Sequence, residues 1–151
     1  MRNIITLLLI TLVISACAPA QVETEPAATP TVPSQAGGGD LTDTHWELVS
    51  FGEGDTATPV IAGSKVTLDF SQDGQAGGSG GCNSYGGKYE AQDGNLSISE
   101  VVSTLMACVD EQITEQEGRY LKALQAAETY EISGESLTIW YTDGTLNFIA
   151  Q

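Results

Sequence analysis

The sequence predicts an α+β fold, a curved and partly barrel-like antiparallel sheet of seven to eight strands packed on one α-helix. Three observations carry this. Residues 41–151 break into short segments of alternating apolar and polar residues, separated by turn dipeptides such as Asp-Gly and Ser-Gly. One stretch alone, 110–127, has helical spacing. The strand–helix–strand alternation that a parallel doubly wound sheet requires is missing.

In chain order, His45–Phe51 (HWELVSF) is the first strand, although its large apolar residues at 46, 48, 49 and 51 alternate imperfectly. GEGDTATP then reads as a loop. Lys65–Phe70 alternates cleanly, placing Val66, Leu68 and Phe70 on one face. Asp73-Gly74 is a tight turn. The repeated glycines of AGGSGG (76–81) predict close backbone approach or a bulge. After Cys82-Asn83-Ser84-Tyr85 a strand returns over 87–92, Asp93-Gly94 turns it, and Leu96-Ser97-Ile98 leads through Val101-Val102 into Thr104–Cys108. The helix opens on Asp110 and Glu111, acids that suit a helix N-terminus. Ile113, Tyr120, Leu121 and Leu124 share its apolar stripe, with Glu115, Glu117 and Lys122 expected outside it and Gly118 a candidate packing position. Three strands close the chain, over 129–132, 136–141 and 145–149, joined by Ser133-Gly134-Glu135 and Asp143-Gly144.

Ahead of this domain lies a different kind of sequence. Met1-Arg2-Asn3 precedes eleven uncharged residues, IITLLLITLVI (4–14). A bilayer-spanning helix needs about 20 apolar residues, so the run fits the core of a signal peptide over residues 1–16 instead. It ends in Ile14-Ser15-Ala16-Cys17, which resembles the lipobox of bacterial lipoproteins. The resemblance implies that Cys17 receives a lipid and becomes the first residue of the mature chain, anchoring it in a membrane; two or more acyl chains hold stably where one does not. The expected location is extracytoplasmic, on the cell envelope at the outer membrane or cell surface. Residues 17–40 then form an anchor and tether, holding four of the chain's five prolines and Gly37-Gly38-Gly39. With few large apolar groups to bury, nothing offsets the entropy of ordering such a segment.

Charge narrows the partners. The chain has 20 acidic and five basic residues; Arg2 leaves with the signal, so the mature chain carries a net −16. That excludes the phosphate neutralisation on which nucleic-acid binding depends and electrostatic docking on anionic lipid. Mutual repulsion favours a monomer. With Cys17 assigned to lipid, Cys82 and Cys108 remain as a pair in an oxidising compartment. A disulfide closing about 27 residues would contribute roughly 3.5 kcal/mol in the chain-entropy model. Two buried thiols, a redox pair and metal ligation are the alternatives; with only the distant His45 to join them, the cysteines lack a zinc spacing. No cofactor and no metal are expected.

The segments GGCNSYGGKY, STLMAC and EQEGRYLKALQAAETYEISGESLTIWYTDGTLNFIA, with the opening HWELVSF, resemble the META domain, also called HslJ-like. The resemblance spans 44–150, within a domain placed at 41–151. It implies a small β-rich fold with one helix, often exported and often lipid-anchored, linked to stress responses, motility or secretion and without established enzymatic activity. The signature falls on Gly81, Cys82, Asn83, Tyr85, Tyr89, Met106, Ala107 and Cys108.

Sharper chemistry finds little support in the residues. His45, the only histidine, would need a nucleophile and an orienting carboxylate; Ser50, Ser84 and Asp69 are conceivable, but no motif places them. Asn83 suits a turn. Tyr85, Tyr89, Trp140 and Tyr141 suit core and cross-strand packing better than a ligand-binding face. The three Asp-Gly pairs lack the spacing of a calcium loop, and GGSGG lacks the lysine of a phosphate loop. The expected function is a non-enzymatic envelope protein, acting in stress response or in binding an envelope protein or peptide. A secreted inhibitor or a small-ligand or Ca²⁺-binding module is the alternative, and a thiol-redox protein a more distant one.

Overall fold

The computed structural model describes residues 39–53 and 56–151. The expected signal peptide, Cys17 and all but the last two residues of the tether lie outside the described residues. The chain runs β1 (Thr44–Glu53), β2 (Thr56–Pro59), β3 (Thr67–Phe70), β4 (Gln75–Ser79), β5 (Ser84–Gln92), β6 (Asn95–Ser103), α1 (Glu111–Gln125), β7 (Ala127–Ser133), β8 (Ser136–Tyr141) and β9 (Gly144–Ala150). All pairings are antiparallel, and β1 pairs with β9 as well as β3, so eight strands form a barrel-like sheet. The α+β architecture expected from the sequence is the one observed.

Strand β2 was not anticipated. Residues 56–59, read as part of a loop, pair with Ser50–Glu53 along the same edge of β1 that β3 occupies further back. All four side chains are exposed, so no apolar alternation marks the strand in the sequence. The uneven alternation of β1 has its own cause. The register against β9 shifts between Leu48 and Ser50, a bulge that lets Leu48 and Phe51, three residues apart, both point inward while Val49 faces out.

The interior collects Trp46, Leu48 and Phe51 from β1, Leu68 and Phe70 from β3, Ile139 from β8, and Leu146 and Phe148 from β9. The helix adds Tyr120, Ala123 and Leu124. Its N-terminus is capped by Asp110, whose carboxylate accepts from Gln112 N–H at 2.8 Å. Leu41, 2% exposed, packs into the same core, while the Tyr130 hydroxyl donates to the Gly39 carbonyl at 2.7 Å.

Two seams of the sheet differ. Along β1–β9 the ladder runs from Trp46↔Ala150 to Gly52↔Thr145. Between β6 and β7 it is reduced to Asn95↔Thr129 and the adjoining Tyr130 N–H to Gly94 carbonyl bond. The tight turn beside it is the one expected at Asp93-Gly94, where both residues take positive φ (52° and 80°) as a type I′ hairpin requires. Beyond Asn95, among the described residues, no strand pairs with that side of β6, and α1 packs against it. The register of β6 against β5 also shifts near Gly87, with Glu100 at φ +53°, a non-glycine residue in left-handed geometry. This bulge redirects the last residues of β6 into the segment 104–110, which has no strand or helix structure.

Candidate functional site

The signature residues other than Tyr89 converge, at the end of the barrel where β4 leaves and β5 enters; Tyr89 lies at the opposite end of that ladder, beside the β3–β4 turn. Cys82 and Cys108 are joined by a disulfide, with Cα atoms 6.0 Å apart. Between them stands Asn83, 6% exposed. Its Oδ1 accepts from Met106 N–H at 2.7 Å and from the Thr104 hydroxyl at 2.8 Å. Its Nδ2 donates to Glu117 Oε1 at 2.7 Å and lies 3.5 Å from the Met106 carbonyl. A main-chain N–H must face an oxygen and a carboxylate must face an N–H, so both ends of the amide are specified by their neighbours. The Asn83 carbonyl in turn accepts from Gly80 N–H at 2.7 Å. The turn expected at Asn83 is therefore also a clamp on a second segment.

Glu117 corrects the sequence reading. Placed outside the apolar stripe of the helix, it is instead 7% exposed and points inward, as does Gln116. Its Oε2 accepts from Asn83 N–H at 2.6 Å and Cys82 N–H at 3.2 Å. A buried carboxylate is tolerable only when such donors surround it. Gln116 ties the helix to the β2–β3 connection, accepting from Ile61 N–H and donating to the Ser64 hydroxyl, each at 2.8 Å. Helical spacing did hold the clue. Positions 116, 117, 120 and 124 fall three, four, seven and eleven residues after Ile113, on one face. Polarity outweighed spacing because the donors come from another element. The glycine run is explained here too: a Cβ on Gly80 would lie 2.7 Å from Glu117 Cγ and Oε2. Gly118, by contrast, has open space around it and no packing role.

Tyr85 is buried and its hydroxyl meets the Tyr120 hydroxyl at 2.7 Å, with both within reach of the Thr67 carbonyl. Burial pushes both the Tyr85 and the Tyr120 phenols above their ordinary range. Tyr89 packs edge-on against Phe70 and donates to the Ser71 carbonyl at 3.1 Å. Trp140, 38% exposed, stands apart from these on β8, and Tyr141 is half-buried beside the core. The four aromatics do not make one face. Nor do the conceivable partners of His45 assemble. His45 Nδ1 meets Asp69 Oδ1 at 2.8 Å on the exposed edge of β1 and β3, whereas Ser50 accepts from Asn147 Nδ2 between β1 and β9, and Ser84 pairs with Ser79.

The segment clamped by Asn83 is the feature the sequence did not disclose. Read as a continuation of β6, it instead leaves the sheet and displays Leu105 (96% exposed), Met106 (60%) and Val109 (fully exposed) to solvent, beside Val102 (71%) on the last paired residues of β6. Ala107 is exposed with them. Residues 103–108, Asn83, Thr114 and Glu117 line a shallow groove of about 490 Å³. A larger hollow of about 780 Å³, lined by Glu90, Gln92, Asn95 and Glu128 among others, contains no signature residue.

The META-domain family model matches residues 39–151. The chain belongs to the META-domain family. Among solved structures, this META-domain chain is similar to a protein from Burkholderia xenovorans determined by NMR, at 32% identity and TM-score 0.65, the match covering 74% of this chain and 83% of that one. A second NMR structure matches at 21% identity and TM-score 0.57, covering 72% and 90%. A DUF4847-family crystal structure from Bacteroides vulgatus matches at 16% and 0.54, covering 71% and 92%. The last two share the fold. No curated protein matches the chain.

Proposed function

We propose that this META-domain protein is held outside the cytoplasm by lipid on Cys17 and acts there, without enzymatic chemistry of its own, by binding an envelope protein or peptide under stress. The observation that carries the binding role is the clamped segment after β6. A protein of this size rarely leaves several large apolar side chains together in water unless they meet a partner, and here Leu105, Met106 and Val109 are exposed in that segment, with Val102 exposed at the end of β6. Asn83 of the signature and Glu117 of the helix support the same reading, since they bond to each other and to nearby main chain. Anchor and domain have separate tests. Mass spectrometry of the mature N-terminus should find acylated Cys17; an unmodified thiol there removes the anchor. Pull-down from envelope extracts with the full chain, against a tether-only control, should retain a specific protein, and deletion should sensitise cells to envelope stress. The absence of both effects would sink the binding role. The inhibitor reading is the second choice, favoured by the same segment.

A further inference from the structure

We propose that residues 103–109 form an inhibitory loop for serine endopeptidases with an apolar primary specificity pocket, with Leu105 as the side chain that enters the pocket. The proposal rests on the protein-binding reading and names the partner. Leu105 is 96% exposed, yet the chain on both sides of it is tied down. On one side Thr104 N–H donates to the Ser84 carbonyl at 3.0 Å and the Thr104 hydroxyl to Asn83 Oδ1 at 2.8 Å. On the other, Met106 N–H donates to that same Oδ1 at 2.7 Å, and Cys108 is bridged to Cys82. One buried amide thus grips both flanks of a side chain that projects into solvent. Ordering a free loop on binding costs conformational entropy at every residue fixed. A loop already held avoids that cost on binding.

This arrangement suits a peptidase cleft better than an ordinary docking pocket because of the fate of the amine after bond cleavage. The peptidase serine hydroxyl adds to the Leu105 carbonyl carbon, its proton passing to the peptidase histidine. The Leu105–Met106 C–N bond breaks, and Met106 nitrogen takes that proton and leaves as an amine. From an ordinary substrate the amine departs and water replaces it. Here the nitrogen is held by Asn83 Oδ1 and its chain by the Cys108 bridge, so it stays beside the acyl ester at high effective concentration. It attacks the ester, returns its proton through the histidine to the serine oxygen, and restores the peptide bond. Nothing is gained or lost, and the peptidase remains occupied. The neighbourhood also specifies the partner's charge. Residues 99–117 hold five carboxylates and no lysine or arginine; Glu117 is buried and Glu100 is paired with Lys88, which leaves Asp110, Glu111 and Glu115 facing solvent. The peptidase is therefore one with basic residues around its cleft, and its association slows as salt rises.

The test titrates the full chain against chymotrypsin-type and subtilisin-type endopeptidases, followed with a small chromogenic substrate. Stoichiometric inhibition, with the Leu105–Met106 bond largely intact after hours, is expected. Leu105→Lys should weaken inhibition of the chymotrypsin-type enzyme by about 100-fold and create inhibition of a trypsin-type enzyme, whose pocket holds an acid. At this exposure the change should leave the melting temperature unmoved, which keeps folding out of the comparison. Asn83→Ala should turn the loop into a substrate cut at Leu105–Met106; Thr104→Val, which removes one hydroxyl bond at the surface, should speed cutting without unfolding the domain. The proposal is overturned if neither the native chain nor Leu105→Lys inhibits its matching enzyme, or if the native loop is cut as fast as in the reduced, denatured chain. Either result with a specific envelope partner still captured removes the inhibitory loop alone; loss of that capture with inhibition intact removes the envelope-partner reading alone.

Discussion

The β1–β9 seam and the β6–β7 seam close the same barrel by different means. The first is a main-chain ladder, backed by Phe51, Leu146 and Phe148 in the core. The second has almost no ladder, and its side of the molecule is held by a helix, a disulfide and the Asn83–Glu117 pair. Main-chain pairing accepts nearly any residue that fits a pleat. Side-chain locks accept one, because the amide of Asn83 must offer an acceptor to Met106 and a donor to Glu117 at once. Cys82, Asn83, Met106 and Cys108, four residues of the expected signature, lie on this poorly paired side. The side-chain locks are why that side can project an apolar segment without collapsing it into the core.

The comparison can be broken most severely at the ladder seam. Phe148→Ala should cost about 3–5 kcal/mol in chemical denaturation, as other buried Phe→Ala changes do, and equally in the reduced and oxidised protein. Cys82→Ser should cost about 2–4 kcal/mol; hydrogen exchange should quicken at the amides of Thr104 and Met106 and stay unchanged across β1–β9. An unchanged denaturation midpoint, or loosening spread evenly over both seams, would show that the two sides are not held independently.

Alkaline pH sharpens the contrast next. The Tyr85 and Tyr120 phenols, which join β5 to the helix, have folded pKa values raised by burial. Their contribution to stability is fully present below the unfolded value of about 10 and is lost as pH climbs from there toward the folded values, at about 1.4 kcal/mol per pH unit for each phenol. Tyrosinate absorbance from these two should therefore appear together with unfolding rather than before it; ionisation of all five tyrosines in a still-folded protein would contradict the burial. The smallest effect is a gain. Gly118→Ala, in open space on an exposed helix face, should stabilise by about 1 kcal/mol, and a loss there would mean that the glycine has a contact the fold does not reveal.

Most strands were legible because alternation and turn dipeptides are local signals. Val66, Leu68 and Phe70 point inward as their spacing requires, and Asp93-Gly94 makes the tight turn its residues favour. The helix was legible apart from the direction of Glu117. What escaped reading were features whose reason lies across the sheet. Strand β2 has no buried face of its own. Leu105 and Met106 look like core residues until it is known that the chain there has left the sheet. Glu117 looks like a surface acid until three N–H donors arrive from Cys82 and Asn83, more than thirty residues away.

Sequence alone determined the fold class, the positions of the strands and helix, and a cysteine pair set apart for bridging, because periodicity, turn geometry and cysteine chemistry act over short stretches or by elimination. Tertiary structure decided which polar groups are buried and which apolar groups remain in water. Those outcomes depend on partners brought together by barrel closure, and a hydrogen bond or an exposed methyl group has no counterpart in the chain until its neighbours are in place.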